Sequence, residues 1–266
     1  MKIDKKTYEL TGNVVGEEVD SHLTSENAGN LDKEINVPNL EQFDASTTPN
    51  SSFNIFLGKR RSGKSVLAEY FVNQMKDNGM LDFIFLLSET GAGFDSIDAK
   101  NKFSDVQLLF NLLENMKKSN QLNKVVNKKD QIKMKVMVII DDFAIKLKSK
   151  DFNILEEIAT NGRHYAYKPL SLHWCVLSQS LTKIPRVVRL NVDNIFLNAI
   201  SSAKEKEMVF DENLYIIDNS RQGKTKAREI YSKAVLEKDY QFMVIENYKQ
   251  NIKTYTDYLK LYRAEL

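Results

Sequence analysis

The chain has 266 residues, of which 42% are hydrophobic and 28% charged, with a formal net charge of +2. Such a chain can bury a substantial core, while its single cysteine, Cys175, excludes an intramolecular disulfide and fits a reducing compartment. No apolar run approaches the length of a membrane span, the opening "MKIDKKTYEL" lacks the apolar core of a signal peptide, and His22, His164 and His173 have no metal-site spacing.

Residues 1 to 50 carry 10 Asp and Glu against 4 Lys, leaving 26 acidic and 34 basic residues for 51 to 266. The segment is polar, lacks apolar periodicity and ends in "DASTTPNSS", so it reads as an acidic, extended arm. Ile35, Val37, Leu40 and Phe43 are short anchors through which it could dock on a neighbour. The basic remainder suits an anionic partner such as nucleic acid, or a solvated lysine-rich surface.

From Phe53 onward, apolar runs of strand length alternate with helical stretches. The runs "FNIFL", "DFIFLL", "KVMVII", "LHWCVL" and "NIFLNAI" read as strands of a parallel sheet covered on both faces, with helices near 64–77, 105–122 and 150–160 between them. That alternation is α/β, and it defines a core over 51–200. After Ser201, "AKEKEMVFDENL" and "KTKAREIYSKAVLE" read as helices and "DYQFMVIENY" as a strand. The end, "NIKTYTDYLKLYRAEL", reads as an amphipathic helix with Tyr255, Tyr258, Leu259 and Tyr262 on one face, a stripe for core or subunit contact. Residues 201–266 are thus expected to be a largely helical extension that completes the core or meets another subunit.

Directly after the first strand, Gly58-Lys59-Arg60-Arg61-Ser62-Gly63-Lys64-Ser65 matches G-x-x-x-x-G-K-[ST] without a departure. A loop that wraps phosphates with inward backbone N–H groups needs close approach and unusual backbone angles, which Gly58 and Gly63 permit. The helix that follows aims its positive end at the anion, Lys64 reaches the β and γ phosphates, and the Ser65 hydroxyl joins an Mg²⁺ shell. ATP with Mg²⁺ is the expected ligand, cradled by Gly58, Ser62, Gly63, Lys64 and Ser65. Arg60 and Arg61 occupy the permissive middle of the loop and read as exposed cations.

"KVMVIIDDFA" ends a strand in two carboxylates. Asp141 is placed to hold Mg²⁺, and Asp142 to orient or deprotonate a water for attack on the γ phosphate. A strand and a helix intervene between the two motifs, so their strands need not be neighbours in the sheet. This points to the additional-strand branch of three-layer P-loop NTPases rather than to small kinases and GTPases.

Two later stretches extend the pattern: "NGRHYAY", then "LHWCVLSQSLTKIPRVVRL", where a strand ends in Ser178-Gln179 before Ile184-Pro185. Together with the phosphate loop and the acidic pair, this order resembles the genome-packaging ATPases of large double-stranded DNA viruses and their virophage relatives, of poxvirus type, within the FtsK/HerA superfamily. The resemblance covers about residues 53–200. It implies an ATP-driven double-stranded DNA translocase acting as a pentameric or hexameric ring, with capsid or portal-vertex partners, in the host cytoplasm at the virus factory or in the virion. It also implies that Gln179 senses the γ phosphate and that Arg163 is the arginine finger serving a neighbour's nucleotide, with Arg189 as second candidate. Many cellular members carry Glu where this chain has the shorter Asp142. Lys146, Lys148 and Lys150, just past the acidic pair, are the candidates for DNA-backbone contact, and "KVVNKKDQIKMK" is a second lysine cluster. On the residues alone, a P-loop kinase using Arg186 and Arg189 in a lid, or an ATP-dependent assembly switch without turnover, stays open.

Overall fold

Strands that are apolar throughout must be buried on both faces, which requires cover on both sides of the sheet. The computed structural model, which describes residues 37–91, 93–141 and 149–265, has that arrangement. Its strands are β1 (Phe53–Leu57), β2 (Phe83–Leu87), β3 (Lys102–Phe103), β4 (Met134–Asp141), β5 (Leu170–Ser178), β6 (Asn194–Leu197), β7 (Phe242–Glu246) and β8 (Leu259–Tyr262). They form one sheet in the order β3-β2-β4-β5-β1-β6-β7-β8. The pairings among β1 to β6 are parallel, and β7 and β8 add antiparallel. This is the mostly parallel, additional-strand arrangement expected. The strand that separates the loop strand β1 from the acidic strand β4 in space is β5, however, and not β2, which separates them in sequence.

Alternate residues of each strand enter two cores. Ile55, Val138, Trp174 and Val176 face helices α2 (Gln107–Asn123), α3 (Ser149–Tyr165), α4 (Arg186–Leu190), α5 (Ala203–Val209) and α6 (Arg221–Val235). Phe56, Ile139, Cys175 and Phe196 face α1 (Lys64–Asp77). Leu67, Phe71 and Met75, spaced four apart on α1, lie in this second core, and the Phe71 ring packs 5.8 Å from Phe56. Phe56 in turn stacks on Phe196 at 4.2 Å, and each such aromatic pair adds about 1 kcal/mol beyond simple burial. The axis of α1, and with it the direction of the phosphate loop, is therefore fixed by aromatic packing on β1 and β6. Cys175 is a buried hydrophobe whose thiol is pushed well up by burial, as its apolar surroundings suggested.

The chain's end corrects one expectation. The segment expected as a terminal helix is a short turn at Tyr255–Asp257 followed by β8. Tyr255, Tyr258, Leu259 and Tyr262 are all buried in the domain's own cores, so the apolar stripe was real but its period was misread. The strand Leu259–Tyr262 pairs with the edge of β7 and buries Leu259 and Tyr262 on the two faces of the sheet. The outer edge of β8 is covered in turn: Phe43 N–H donates to Leu261 O at 2.7 Å and Leu261 N–H to Glu41 O at 2.8 Å. The Phe43 ring sits in the second core, 5.4 Å from Tyr262 and 5.3 Å from Phe196. Among the described residues no helix is long and apolar enough to cross a membrane.

At the amino ends of β1, β5 and β6 a buried polar chain links Asn194, Asn54, Ser52 and His173. His173 Nδ1 accepts the Ser52 N–H at 3.3 Å, and the ring is 1% exposed. Burial pushes its pKa down to about 4. The imidazole is thus neutral in the fold, whereas the unfolded chain takes up a proton below about pH 6.5. Stability is therefore lost as pH falls from about 6.5 to about 4, by up to about 1.4 kcal/mol per pH unit. Urea unfolding at pH 7, 6 and 5 should show a steeper decline for the wild type than for His173→Gln.

Candidate functional site

The phosphate loop hangs between two neighbouring strands. Gly58 N–H donates to Ser178 O of β5 at 3.2 Å, and Lys59 N–H to Ala199 O, just past β6, at 3.4 Å. A Cβ on Gly58 would lie 2.7 Å from Ser62 Oγ and 3.0 Å from Asn198 Cβ, so only glycine lets the loop close. Gly63 has φ of +82°, and Lys64 opens α1 directly behind it. Lys64 folds back across the loop, its Nζ donating to Gly58 O at 2.8 Å and Lys59 O at 3.0 Å. Lys59, Arg60 and Arg61 point outward and are exposed, as expected of the loop's middle.

The carboxyl edge of the sheet gathers the other candidates. Asp141 ends β4 in register with Leu177, and Leu57 pairs with Ser178, so the acid and the phosphate loop are held on either side of β5. Gln179, the first residue beyond β5, is exposed between them. The segment behind it is anchored: Ser180 Oγ and Thr182 Oγ1 both donate to Glu205 on α5, the latter at 3.0 Å. Gly93, in the loop after β2, approaches Ser65, since a Cβ there would lie 3.8 Å from Ser65 Cβ. That loop was not singled out in the sequence. Its signal was position, a glycine-containing stretch at the carboxyl end of a parallel strand.

Asp142, Lys146 and Lys148 lie outside the described residues, and Lys150 is in the first turn of α3. Of the second lysine cluster, Lys128, Lys133 and Lys135 join Lys168 around a cleft of about 450 Å³ at the opposite, amino edge of the sheet. Arg163 is also at that edge. It is exposed in the last turn of α3, with its charge felt by Asp193. Asp193, whose carboxyl is raised by burial, accepts the N–H of Phe53, the first residue of β1, at 2.7 Å. Arg189 is elsewhere and otherwise engaged. Its Nε and Nη2 donate to the two oxygens of Glu212 at 3.0 and 2.7 Å, and Nη1 donates to Ile184 O at 2.6 Å. A bidentate pair this buried is a structural clamp, which removes Arg189 as second candidate for a finger.

The residues present fit a magnesium nucleotide. The Ser62 hydroxyl is buried with no hydrogen-bond partner among the described residues, and the loop is shaped so that a side chain at Gly58 would fill it. Both features belong to a cradle for an anion's oxygens. Ser65 and Asp141 supply the hydroxyl and carboxylate oxygens that suit Mg²⁺, which takes few protein ligands and completes its shell with phosphate and water.

No family model and no curated protein matches the chain. Solved structures do. The DNA-packaging ATPase B204 of Sulfolobus turreted icosahedral virus superposes with a TM-score of 0.52 at 16% identity, covering 82% of this chain and 99% of that one. The genome packaging NTPase B204 of Sulfolobus turreted icosahedral virus 2, solved with sulfate, gives 0.53 at 17% identity with the same coverage. The conjugation coupling protein TcpA of pCW3, with ATPγS, gives 0.51 at 15% identity over 80% of this chain and 63% of that one. The chain therefore has the fold that the sequence resemblance implied.

The clamp on Arg189 can be tested by unfolding. With Arg189 9% and Glu212 13% exposed, Arg189→Met leaves the Glu212 carboxylate only the exposed Arg186, 4.0 Å away, and should cost about 3 kcal/mol in urea unfolding. Removing both charges, as Arg189→Met with Glu212→Leu, should recover most of that loss.

Proposed function

We propose that the chain is an ATP-hydrolysing double-stranded DNA translocase that packages a viral genome into a preformed capsid, working as a pentameric or hexameric ring in the host cytoplasm or on the virion. The position of Arg163 carries this reading. It lies in the last turn of α3, shortly before β5 begins at Leu170 and so at the amino edge, whereas its own phosphate loop begins at the far end of β1. Five strand residues rise about 16 Å, well beyond an arginine's reach. An exposed arginine so placed cannot touch its own nucleotide but is free to meet that of a neighbour.

Each residue then has a task. The loop N–H groups and Lys64 hold the β and γ phosphates, and the Ser62 hydroxyl gains the partner it lacks. Ser65 and Asp141 hold Mg²⁺, which when bound offsets the phosphate charge. Asp142 takes the proton of the attacking water, and Gln179, fixed between loop and acid, donates to the γ phosphate. Arg163 of the next subunit stabilises charge on the transferred phosphoryl group, so hydrolysis depends on assembly. Lys146, Lys148 and Lys150 are the proposed contacts to the DNA backbone, which a pump must grip without reading sequence. The likeness in fold to B204, a DNA-packaging ATPase, supports the same reading.

ATPase activity measured against protein concentration should rise more steeply than linearly and increase with long duplex DNA. Arg163→Ala should lower the rate about 10³-fold or more. Mixing it with Lys64→Ala protein should restore part of the activity, because an intact loop then meets an intact finger. A monomer active at full rate, or an Arg163→Ala variant with unchanged turnover, sinks the ring reading. Phosphate delivered to a nucleoside instead of water would make the protein a kinase.

A further inference from the structure

The sheet order divides the surroundings of the phosphate loop in two. On the β5 and β4 side of β1 lie Gln179 and Asp141; on the β6, β7 and β8 side lies a cleft of about 290 Å³, lined by Gly63, Val66, Leu67, Tyr240, Arg263 and Ala264. The phosphates are held at the loop, and the γ phosphate must face the acid and the water-activating groups. The nucleoside then leaves toward the other side, over the first turn of α1, where Val66 is 49% exposed.

Tyr240 is the unusual residue there. Its backbone has φ of +56°, a conformation costing roughly 1–2 kcal/mol for a side-chain-bearing residue. Glycine or asparagine would take that angle more easily. Its ring nonetheless lies against the loop, with Cδ1 2.9 Å from the position a Cβ on Gly63 would occupy, while 56% of the residue stays exposed. A strained backbone that presents a half-exposed aromatic face beside a ligand loop is the pattern of a functional site. Arg263, just past β8, is exposed and has no ion-pair or hydrogen-bond partner among the described residues. The antiparallel register, Phe242 opposite Tyr262, is what carries Tyr240 and Arg263 to the same edge.

We infer that this cleft receives the base of the bound nucleotide, stacked on the Tyr240 ring with the Arg263 guanidinium beside it and Val66 beneath. The inference rests on the nucleotide-binding reading above and adds the base subsite to it. The cleft is lined by no carboxylate or carboxamide side chain, so it recognises the aromatic face of the base more than its edge. Purines, with the larger face, bind better than pyrimidines.

The test separates base from phosphate. Calorimetric binding of Mg·ATP and of Mg·tripolyphosphate is compared for the wild type, Tyr240→Ala and Tyr240→Phe. Loss of one base–aromatic stack should weaken ATP binding to Tyr240→Ala by about 5- to 150-fold. Tripolyphosphate affinity should stay unchanged, and Tyr240→Phe should bind ATP as the wild type does. If Tyr240→Ala binds ATP normally, or loses ATP and tripolyphosphate equally, the base is not held there. If the wild type binds neither ligand, nucleotide binding itself is refuted.

Discussion

Everything at the candidate site depends on where β5 lies. Its nine residues are all buried, and it is hydrogen-bonded to β4 on one side and β1 on the other. With about 4.8 Å between neighbouring strands, the ends of β1 and β4 stand about 10 Å apart, room for a phosphate chain, a hydrated cation and a water. Were β5 absent, the carboxylate would crowd the loop. Were its register shifted by one residue, Trp174 and Cys175 would exchange cores and Gln179 would point away from the gap. The loop itself is tied to β5 through Gly58 N–H on Ser178 O. One strand thus spaces the acid from the loop, leads directly into Gln179, the proposed sensor, and supports the phosphate loop.

The same topology assigns different duties to the sheet's two edges. The carboxyl edge collects the loop, Asp141, Gln179 and the Tyr240 cleft, while the amino edge carries Arg163, Asp193 and the four-lysine cleft. Helix α3 runs between them: it comes after the acidic strand in the chain and carries Arg163 in its last turn, and its 17 residues extend about 25 Å. In the proposed ring, α3 is the described element that ends with Arg163, the proposed finger, in its last turn. Its inner face, with Ile154, Leu155 and Ile158 in the first core, keeps that helix from bending independently of the sheet.

How far the sequence could be read follows from which signals are local. The five long apolar runs became strands because runs buried on both faces leave few alternatives, and α1 began at Lys64 because the loop motif fixes the helix start. Arg189 misled because an arginine near a strand end looks available until its partner is known. Glu212 lies on the π-helical turn that continues α5, and only tertiary folding brings the two together. The last segment misled for a related reason. Spacings of three and four among Tyr255, Tyr258, Leu259 and Tyr262 fit a helix, but the turn at Tyr255–Asp257 displaces the first of them and β7 captures the rest. Strand β3, two residues long, has no periodicity to detect.

The stretch after Ser201 carries no motif, yet it reaches the site by register alone. Tyr240 and Arg263 flank two strands whose pairing is set by Val244 and Ile245 against Lys260 and Leu259, residues chosen for burial and strand propensity rather than chemistry. The position of β8 depends further on Glu41 and Phe43, whose backbones bond Leu261 and whose side chains include an ion pair to Lys260 at 2.8 Å and a ring in the second core. Of these, the ion pair is exposed and worth little, whereas burying a phenyl ring stabilises by about 2–3 kcal/mol. Phe43 is therefore the residue through which the described part of the amino-terminal segment holds β8, and with it Arg263, in place beside the phosphate loop.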